Sequence, residues 1–228
     1  DIRKIYITAS GGPFLRKPLS QFKNIKAHQA AKHPNWLMGK KISIDSSNLM
    51  NKVFELIEAY KFFPFDKKKY EILIHPKSLV HAIVLFKNGQ TKFLYHETDM
   101  KIPIANAIYD NKIDIKTLIK HESNFLKNLE NLKFEKVDKI RFPIVTLLND
   151  NIYKNSGSII MNASNEILVE SFIRNQISFN DIHRCLKQIF KDRDFNKYAI
   201  KKTPDIKEIY KIDKWARNKT TELINKKL

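Results

Sequence analysis

Two hydrophobic periodicities divide the 228-residue chain, and this division limits the folds that it can adopt. In the first 95 residues or so, short β-branched runs alternate with a helical pattern, as in sheets that are covered by helices. After residue 100 the strand signals stop, and from residue 142 onward apolar residues recur at helical spacing. The sequence therefore predicts an α+β protein, in which a mixed sheet of about four strands with helices on one face is followed by a C-terminal helical bundle.

Strands are predicted where short apolar runs end in turn residues. Asn88-Gly89 lies between two such runs, and this dipeptide favours the tight turn of a β-hairpin. A strand at 41–45 is expected to lead into a helix over 47–62, which Asp45, Ser46 or Ser47 would cap. The predicted strands are 4–9, 41–45, 71–75, 79–86 and 91–95.

The rest of the chain is predicted to be helical. Short helices at 104–109 and 115–120 precede a highly charged stretch with a weak pattern. Ser178 or Asn180 would cap the third bundle helix, and Pro204 fits the first turn of the fourth. The bundle helices are 143–152, 163–175, 179–191 and 204–226. The predicted organisation is a sheet-containing domain over 1–108 with a lid loop near 27–40, a connector over 109–139 and a helical bundle over 140–228.

The formal net charge of +18 would suit a nucleic-acid-binding protein. Only seven of the 42 basic residues are arginine, however, and the lysines are spread over every segment of the chain. We therefore expect no nucleic-acid partner and expect the charge to attract anionic ligands instead. Strong DNA binding that falls steeply with salt in a filter-binding assay would restore the alternative.

Composition also bears on compartment and processing. No run approaches the roughly 18 apolar residues of a membrane span, so no membrane partner is expected. Cys185 is the single cysteine, which excludes a disulfide framework within the chain, and it is predicted to be buried. The chain begins with Asp1 and lacks the pattern of a signal peptide, so we expect a fragment or a processed chain.

Two loop motifs could hold a ligand. Ser10-Gly11-Gly12 follows the first predicted strand, where glycines let backbone amides approach a ligand, although an ordinary turn has the same pattern. The segment 33–39 combines a histidine with Trp36, Met38 and a glycine, a composition that suits a lid. The alternative is a loop whose tryptophan packs on the core.

Polar residues at the start of the 47–62 helix form the most informative pattern. Helix N-termini attract phosphate, and Ser46, Asn51 and Lys52 would lie near this one. Asn51, Glu55 and Glu58 share one helix face. A surface ion pair between Lys52 and Glu55 explains the same residues, so both interpretations stay open.

Other polar residues are assigned structural roles. His75 and His81 are expected to hydrogen-bond to the backbone rather than to bind a metal. The segment 162–166 is expected to start a helix and to cap it.

Taken together and in this order, the motifs resemble those of the 1-deoxy-D-xylulose 5-phosphate reductoisomerase family. The matching segments are SGGPF at 10–14, HPNWLMG at 33–39, KISIDS at 41–46, MNK at 50–52 with Glu55, IHP at 74–76, DM at 99–100 with IPI at 102–104, and NASNE at 162–166. The resemblance covers nearly the whole chain and implies that 1–108 is a catalytic domain. It implies an NADPH-dependent oxidoreductase and isomerase of isoprenoid precursor synthesis, in the non-mevalonate pathway. Its reaction would convert 1-deoxy-D-xylulose 5-phosphate into 2-C-methyl-D-erythritol 4-phosphate with Mg²⁺ or Mn²⁺.

The resemblance also implies roles for individual residues. Glu55 would ligate the metal, with Glu58 close to the same site, while Met100 and Gly39 would lie near NADPH. The residues implied to bind the phosphorylated sugar, either at its phosphate or from the lid, are Ser10, His33, Trp36, Met38, Ser46, Asn51 and Lys52. Those implied to act in catalysis are His33, Lys52 and Glu55.

Two parts of the family pattern find no match in these residues: the glycine-rich cofactor domain, and an acidic metal-ligand pair just before the first strand. We therefore expect a fragment without the cofactor domain that is inactive by itself. The alternative is a catalytically inactive phosphate-ligand-binding or dimerisation fragment. The resemblance further implies a homodimer, with the 79–95 hairpin as a candidate contact, and a bacterial-type cytoplasmic location, a plastid location being left open.

Overall fold

The computed structural model of the protein describes residues 1–36, 38–119, 125–130, 132–202 and 204–226. These residues form five strands, ten α-helices and four short 3-10 turns. The strands are β1 (Ile2–Ala9), β2 (Tyr70–Ile74), β3 (Val80–Phe86), β4 (Thr91–Tyr95) and β5 (Glu135–Lys136). The helices are α1 (Ala27–Ala30), α2 (Lys40–Ser47), α3 (Met50–Phe62), α4 (Lys101–Ile108), α5 (Phe125–Leu129), α6 (Asp150–Lys154), α7 (Gly157–Ile173), α8 (Phe179–Ile189), α9 (Phe195–Ala199) and α10 (Ile206–Asn225).

The strands form one mixed sheet in the order β4-β3-β1-β2-β5. β1 and β2 run parallel, whereas the other three pairs are antiparallel. The strand directions therefore bring four strand termini together along one edge of the sheet, the edge that runs across the strand ends. These termini are the ends of β1, β2 and β4 and the start of β3. The α+β prediction is confirmed, with a two-residue fifth strand added at the far side of the sheet.

The predicted strand at 41–45 is wrong, because these residues belong to helix α2. Alternation of Ile and polar residues in the sequence is typical of a strand, yet the helix satisfies its polar groups locally. Ser43 Oγ donates to Gly39 O at 2.9 Å, Ser47 Oγ donates to Ile44 O at 2.7 Å, and Lys41 pairs with Asp45 one turn later. Ile44 is completely buried where α2 packs on α3 and α7, and this tertiary packing overrides the strand pattern.

Helix α3 begins at Met50, so neither Asp45, Ser46 nor Ser47 caps it. Leu49 precedes the helix in the left-handed region with φ 68°, and this turn separates α2 from α3. The side chain of Asn48 takes the place of a cap, since its Oδ1 accepts a hydrogen bond from Met50 N at 2.8 Å. The corner that results brings the last turn of α2 against the first turns of α3.

The predicted bundle helices are present with shifted ends. The first is a 3-10 turn over Pro143–Leu147 followed by α6, and the second is α7, which starts at Gly157 and therefore contains 162–166 in its interior rather than at a cap. Ser178 caps α8 with a capping box, as predicted, and Asp205 caps α10 by accepting from Glu208 N. The 104–109 helix is α4, whereas the 115–120 helix reduces to a 3-10 turn at Ile115–Thr117, and residue 120 lies outside the described residues.

One hydrophobic core joins the sheet to the helices that follow it. Phe14, just after β1, lies edge-on to Phe179 of α8 at 5.4 Å between ring centroids, and Phe22 meets the same ring at 6.1 Å. Helix α3 packs on β1 and β2 with Val53 and Leu56 buried. Cys185 is buried in this core, which confirms its predicted role.

The domain boundaries predicted near 108 and 139 stay a prediction. No helix within the described residues is long and apolar enough to cross a membrane.

Candidate active site

A cavity of about 610 Å³ opens at the sheet edge where β1 ends and β3 begins. Ser10 follows β1, Ser78 precedes β3, and His96 follows β4, so the strand ends supply three of its polar side chains. The residues predicted from the sequence that line it are Ser10, His33, Trp36, Met38, Ser46, Asn51, Lys52, Glu55 and Met100. Glu58 lines it as well. Gly39, at the start of α2, does not, and Leu37 of the predicted lid lies outside the described residues.

His33 holds its imidazole ring in one protonation state. Its Nδ1 accepts hydrogen bonds from the backbone N–H groups of Asn35 at 3.1 Å and Trp36 at 3.0 Å, so this nitrogen carries no proton. The proton therefore sits on Nε2, 3.0 Å from Ser10 Oγ. Burial, with a further contribution from the Lys52 charge, lowers the pKa of His33 to about 4. The ring is neutral at physiological pH.

Ser10 is oriented by two donors. Its Oγ accepts from His33 Nε2 and also from Gly12 N at 3.0 Å. Because both acceptor positions of the hydroxyl oxygen are used, its own proton is free to donate into the cavity. A donor held in this way suits an anionic ligand oxygen.

Gly12 allows the turn after β1 to lie against the end of α2. The residue has φ 64°, in the left-handed region, and a Cβ here would lie 2.8 Å from Ser47 Cα and 3.0 Å from Ser46 O. Ser46 occupies the last turn of α2, which corrects its predicted place at a helix N-terminus. Close backbone approach at Gly12, not a helix N-terminus, brings Ser10 and Ser46 into the same cavity.

Asn51, Lys52 and Glu55 project from the first two turns of α3 and contact one another. Lys52 Nζ lies 2.8 Å and 2.7 Å from the two carboxylate oxygens of Glu55, and Asn51 Nδ2 donates to Glu55 Oε1 at 2.7 Å. The ion pair between Lys52 and Glu55, one of the two interpretations of the sequence pattern, is therefore present. It lines the cavity, however, and the two side chains are only 20% and 32% exposed, so the pair is not an ordinary surface contact.

Two carboxylates contribute oxygen ligands of the kind that Mg²⁺ and Mn²⁺ prefer. Glu55 and Glu58 both line the cavity, and burial together with the neighbouring Glu55 charge raises the pKa of Glu58. No three His, Cys, Asp or Glu side chains of the described residues cluster as a metal site. Glu55 and Glu58 fit a hard divalent cation in the chemistry of their donors, as two of the six or more oxygen ligands that such an ion takes.

Aromatic and thioether side chains form the apolar wall. Trp36 lies edge-on to His81 with 6.2 Å between centroids, and His81 stacks on His96 at 3.6 Å. Met38 and Met100 also line the cavity, and Met100 is 54% exposed. This wall gives an extended ligand an apolar surface beside the polar groups of α3.

Four polar lining residues were not predicted to face a ligand: Thr8, Ser78, His81 and His96. The prediction that His75 and His81 hydrogen-bond to the backbone is confirmed, by His75 Nδ1 with Lys133 O at 2.9 Å and His81 Nε2 with His96 O at 3.1 Å. His81 nevertheless faces the cavity, and burial lowers its pKa to about 4. Turn signals beside β3 and β4 mark the surroundings of Ser78 and His96, whereas the sequence pattern does not place Thr8 or His81 at the cavity.

The fold is that of an α+β protein. Its cavity lies where the strands end, is lined by hydrogen-bond donors and suits a small anionic ligand. Residues 1–63 match the family model described as "1-deoxy-D-xylulose 5-phosphate reductoisomerase C-terminal domain", and residues 96–219 match the model "DXP reductoisomerase C-terminal domain". The chain belongs to the 1-deoxy-D-xylulose 5-phosphate reductoisomerase family, which confirms the resemblance seen in the sequence.

Relatives of the same description match along nearly the whole chain. The Pelagibacter ubique protein of that name is 48% identical over 225 residues, covering 98% of this chain and 57% of the relative. The Campylobacter lari protein is 39% identical over 223 residues, covering 95% of this chain and 57% of the relative. The chain therefore spans a little over half the length of these relatives.

Solved structures agree with the fold. A DOX-P reductoisomerase crystallised with NADPH, fosmidomycin and magnesium superposes with a TM-score of 0.89 at 34% identity, over 98% of this chain and 55% of the other. The Zymomonas mobilis reductoisomerase in complex with NADPH gives a TM-score of 0.83 at 32% identity, over 98% of this chain and 56% of the other. At this level of identity the likeness extends beyond the fold to the family.

Proposed function

We propose that this chain forms the substrate- and metal-binding part of an NADPH-dependent reductoisomerase that converts 1-deoxy-D-xylulose 5-phosphate into 2-C-methyl-D-erythritol 4-phosphate. The observation that carries the proposal is the convergence of Ser10, Ser46, Asn51 and Lys52 with Glu55 in one cavity. Hydroxyl, amide and ammonium donors stand beside a carboxylate, as a phosphorylated sugar and a divalent cation would require together.

The phosphate group is proposed to bind between the turn after β1 and the start of α3. Ser10 donates its free hydroxyl proton, Ser46 adds a second hydroxyl, and Asn51 and Lys52 supply an amide and an ammonium. His33 acts through Ser10, because its neutral ring fixes the direction in which that hydroxyl donates. Lys52 offsets the two charges of the phosphate, which requires its ammonium to turn from Glu55 towards the ligand.

The sugar carbonyl is proposed to lie towards Glu55 and Glu58, which would hold Mg²⁺ or Mn²⁺ there. A divalent ion bound at this place would polarise the carbonyl of the substrate. Glu55 contributes the negative charge that holds the ion, and Glu58, with its raised pKa, is the weaker of the two ligands. Lys52 and Glu55 thus serve opposite ends of one extended ligand.

Trp36 and Met38 are proposed to cover the sugar and to exclude water from it. Met100 and Gly39 are proposed to lie near NADPH, and their positions are compatible with contact to a large apolar ring. Met100 is exposed at the cavity wall, and nothing lies within 4 Å of where a Cβ on Gly39 would be. NADPH, when bound, supplies the hydride that reduces the rearranged product.

A homodimer in the cytoplasm is proposed as the assembly. β4 is an edge strand of the sheet, and Phe93 and Leu94 on it are 52% and 58% exposed. Pairing of two hairpins through this edge would complete the backbone hydrogen bonding of β4 and would bring each of these side chains, one on each face of the sheet, beside the partner strand. Sedimentation velocity on the chain tests this contact, since a monomer at high concentration would exclude it.

The 228 residues by themselves are expected not to oxidise NADPH, because no glycine-rich dinucleotide motif occurs in them. Turnover faster than about 1 per second with substrate, NADPH and Mg²⁺ would refute this expectation. The second candidate function, a phosphate-ligand-binding or dimerisation fragment without activity, shares the phosphate site but does not require Glu55 to bind a metal.

Binding of Mn²⁺ in the presence of 1-deoxy-D-xylulose 5-phosphate tests the metal half of the proposal and separates the two candidates. The chain should enhance the relaxation of water protons by Mn²⁺, and Glu55→Gln should weaken that Mn²⁺ binding by about tenfold or more, because a neutral amide replaces a charged ligand. Glu170→Gln, on the exposed part of α7, is the matched control and should bind as the parent does. Identical titrations for the parent and Glu55→Gln would remove Glu55 from the metal site.

A further inference from the structure

A small cavity of about 160 Å³ lies between the corner that joins α2 to α3, the first turns of α8 and the 3-10 turn at Pro143–Leu147. It shares no lining residue with the candidate active site. Among the described residues that line it, none is Asp or Glu. Its polar lining residues are Asn48, Arg141, Asn180, His183 and Arg184.

Asn48 offers an amide N–H group to this cavity. The residue is only 9% exposed, and its Oδ1 accepts a hydrogen bond from Met50 N at 2.8 Å, which fixes the orientation of the amide. Its Nδ2 is buried and has no hydrogen-bond partner within the part of the chain that the structure describes. A buried donor without a partner costs about 1–3 kcal/mol, so an acceptor oxygen placed in the cavity would bind favourably to it.

His183 offers a second unpaired nitrogen. Its Nε2 is also buried and finds no hydrogen-bond partner among the described residues. Burial, with smaller contributions from the Lys187 and Arg184 charges, lowers the pKa of His183, so the ring is neutral at physiological pH. A neutral imidazole carries one proton, and an oxyanion in the cavity would hold that proton on Nε2 as a donor.

Two arginines add positive charge to the same lining. Arg141 is held in place, because its Nη1 donates to Phe14 O at 2.9 Å and to Lys17 O at 2.5 Å. Arg184 is 66% exposed, and its Nη1 lies 3.7 Å from Asp181 Oδ1, which balances part of its charge. Guanidinium groups present several N–H donors in one plane and suit the oxygen atoms of phosphate.

We infer that this cavity is a second anion site, which binds one phosphate-sized oxyanion through Asn48, His183 and the two arginines. A water molecule occupies about 30 Å³ in the liquid, so the cavity holds about five water-sized groups, which is the size of such an ion. It is smaller than the roughly 300 Å³ or more of sites for larger ligands, so a sugar phosphate would not fit. Since Asn48 also accepts from the start of α3, the ion would join α8 to the corner between α2 and α3.

Titration with inorganic phosphate, followed by NMR signals that belong to this cavity, tests the inference. The ring signals of His183, assigned by their loss in His183→Gln, and the side-chain amide signals of Asn48 should shift to a plateau below about 10 mM phosphate at constant pH. Chloride at the same ionic strength should leave them in place. In Lys52→Ala the same titration should be unchanged, which separates this site from the phosphate site proposed above.

Asn48→Asp removes the donor with little change in shape. Its carboxylate still accepts from Met50 N, but an oxygen replaces Nδ2 and a negative charge enters the cavity, so phosphate binding reported by His183 should weaken by about tenfold or more. Asn196→Asp makes the same charge change at an exposed position on α9, outside this lining, and should titrate as the parent does.

If Asn48→Asp does not fold, Arg184→Gln takes its place with weakened binding expected, and the exposed Arg174→Gln on the neighbouring α7 is its control. Absence of a shift in the parent, an equal shift with chloride, or an unchanged titration in folded Asn48→Asp would overturn the inference and leave a cavity that holds water only. Loss of the His183 titration in Lys52→Ala would also overturn it, because the signals would then report on the other site.

Discussion

At the scale of single residues, the site depends on a neutral histidine. His33 joins the lid segment to Ser10 only while its Nδ1 accepts two backbone N–H groups, and a protonated ring could not accept them. Burial keeps the ring neutral, and the adjacent Lys52 charge adds to the effect. In the proposed site the histidine would therefore act by fixing the Ser10 hydroxyl as a donor, rather than by offering a positive charge to the ligand.

The lowered pKa gives a prediction about pH. His33 and His81 each have a pKa of about 4 in the folded chain against an ordinary 6.5, so below pH 6.5 the unfolded chain binds protons that the folded chain does not. Their contribution to stability is fully present above about pH 6.5 and is lost as the pH falls towards 4. His33→Gln should flatten this part of the dependence of unfolding free energy on pH, measured by urea denaturation. NMR signals of His33 that titrate near pH 6.5 would contradict the assignment.

Most of the lining residues could be found from the sequence, because motif order and helical spacing mark them. Asn51, Lys52 and Glu55 lie within two turns of one helix, so their proximity needs no knowledge of the fold. Ser78 and His96 could not be found in this way, since they meet the others only through the strand order of the sheet. The predicted place of Ser46 at a helix N-terminus is also wrong, because the chain breaks at Leu49 in a left-handed turn that the sequence does not mark.

At the scale of elements, the site depends on how α2 is held. The sequence pattern favours a strand at 41–45, yet these residues form a helix. Local sequence allows either a strand or a helix, and packing on the distant helix α7 favours the helix. Asp45 joins the two helices: it is 2% exposed, and its Oδ1 accepts from Asn165 Nδ2 at 2.8 Å. Lys41 Nζ lies 2.9 Å from the other oxygen of Asp45. Ser46 follows directly, so this joint sets where α2 meets the cavity.

Removal of the α7 partner should therefore destabilise the fold. Asn165→Ala deletes a buried hydrogen bond to a carboxylate and should lower the free energy of unfolding by about 1.5–3 kcal/mol. Asn162→Ala is the matched control, since Asn162 is exposed on the same helix and makes only a 3.5 Å contact with Glu166. Its effect should stay within about 0.5 kcal/mol. Equal denaturation midpoints for the two variants would show that the joint does not hold α2.

At the scale of the whole molecule, the sheet and the helical part behave as one packed body in the described residues. Phe14 and Phe22 reach α8, while Asp45 reaches α7, so the helices after residue 140 support the walls of the cavity. The sequence predicted the helices themselves from their periodicity but could not predict these contacts, which join residues more than a hundred positions apart.

The high positive charge of the whole molecule fits an anionic ligand. Lysines spread over the surface create an electric field that attracts anions, although they do not themselves form a binding site.

We predict that the ends of β1 and α2 and the start of α3 bind the phosphate of a small phosphorylated ligand. Lys52→Ala should weaken that binding by about 1.5–3 kcal/mol, because it removes a charged hydrogen-bond donor. The same change leaves Glu55 without its cationic partner, and a carboxylate whose charge is no longer balanced would repel phosphate even if Lys52 never touched the ligand. The double variant Lys52→Ala with Glu55→Gln removes both charges and separates these causes.

Calorimetric titration of 1-deoxy-D-xylulose 5-phosphate into the metal-free chain measures this phosphate binding directly. Lys61→Ala is the matched control, because Lys61 is an exposed lysine on the same helix. We expect measurable binding to the parent and to Lys61→Ala, and a loss of about tenfold or more in both Lys52→Ala and the double variant. Equal affinity of the parent and Lys52→Ala, or recovery of full affinity in the double variant, would contradict it.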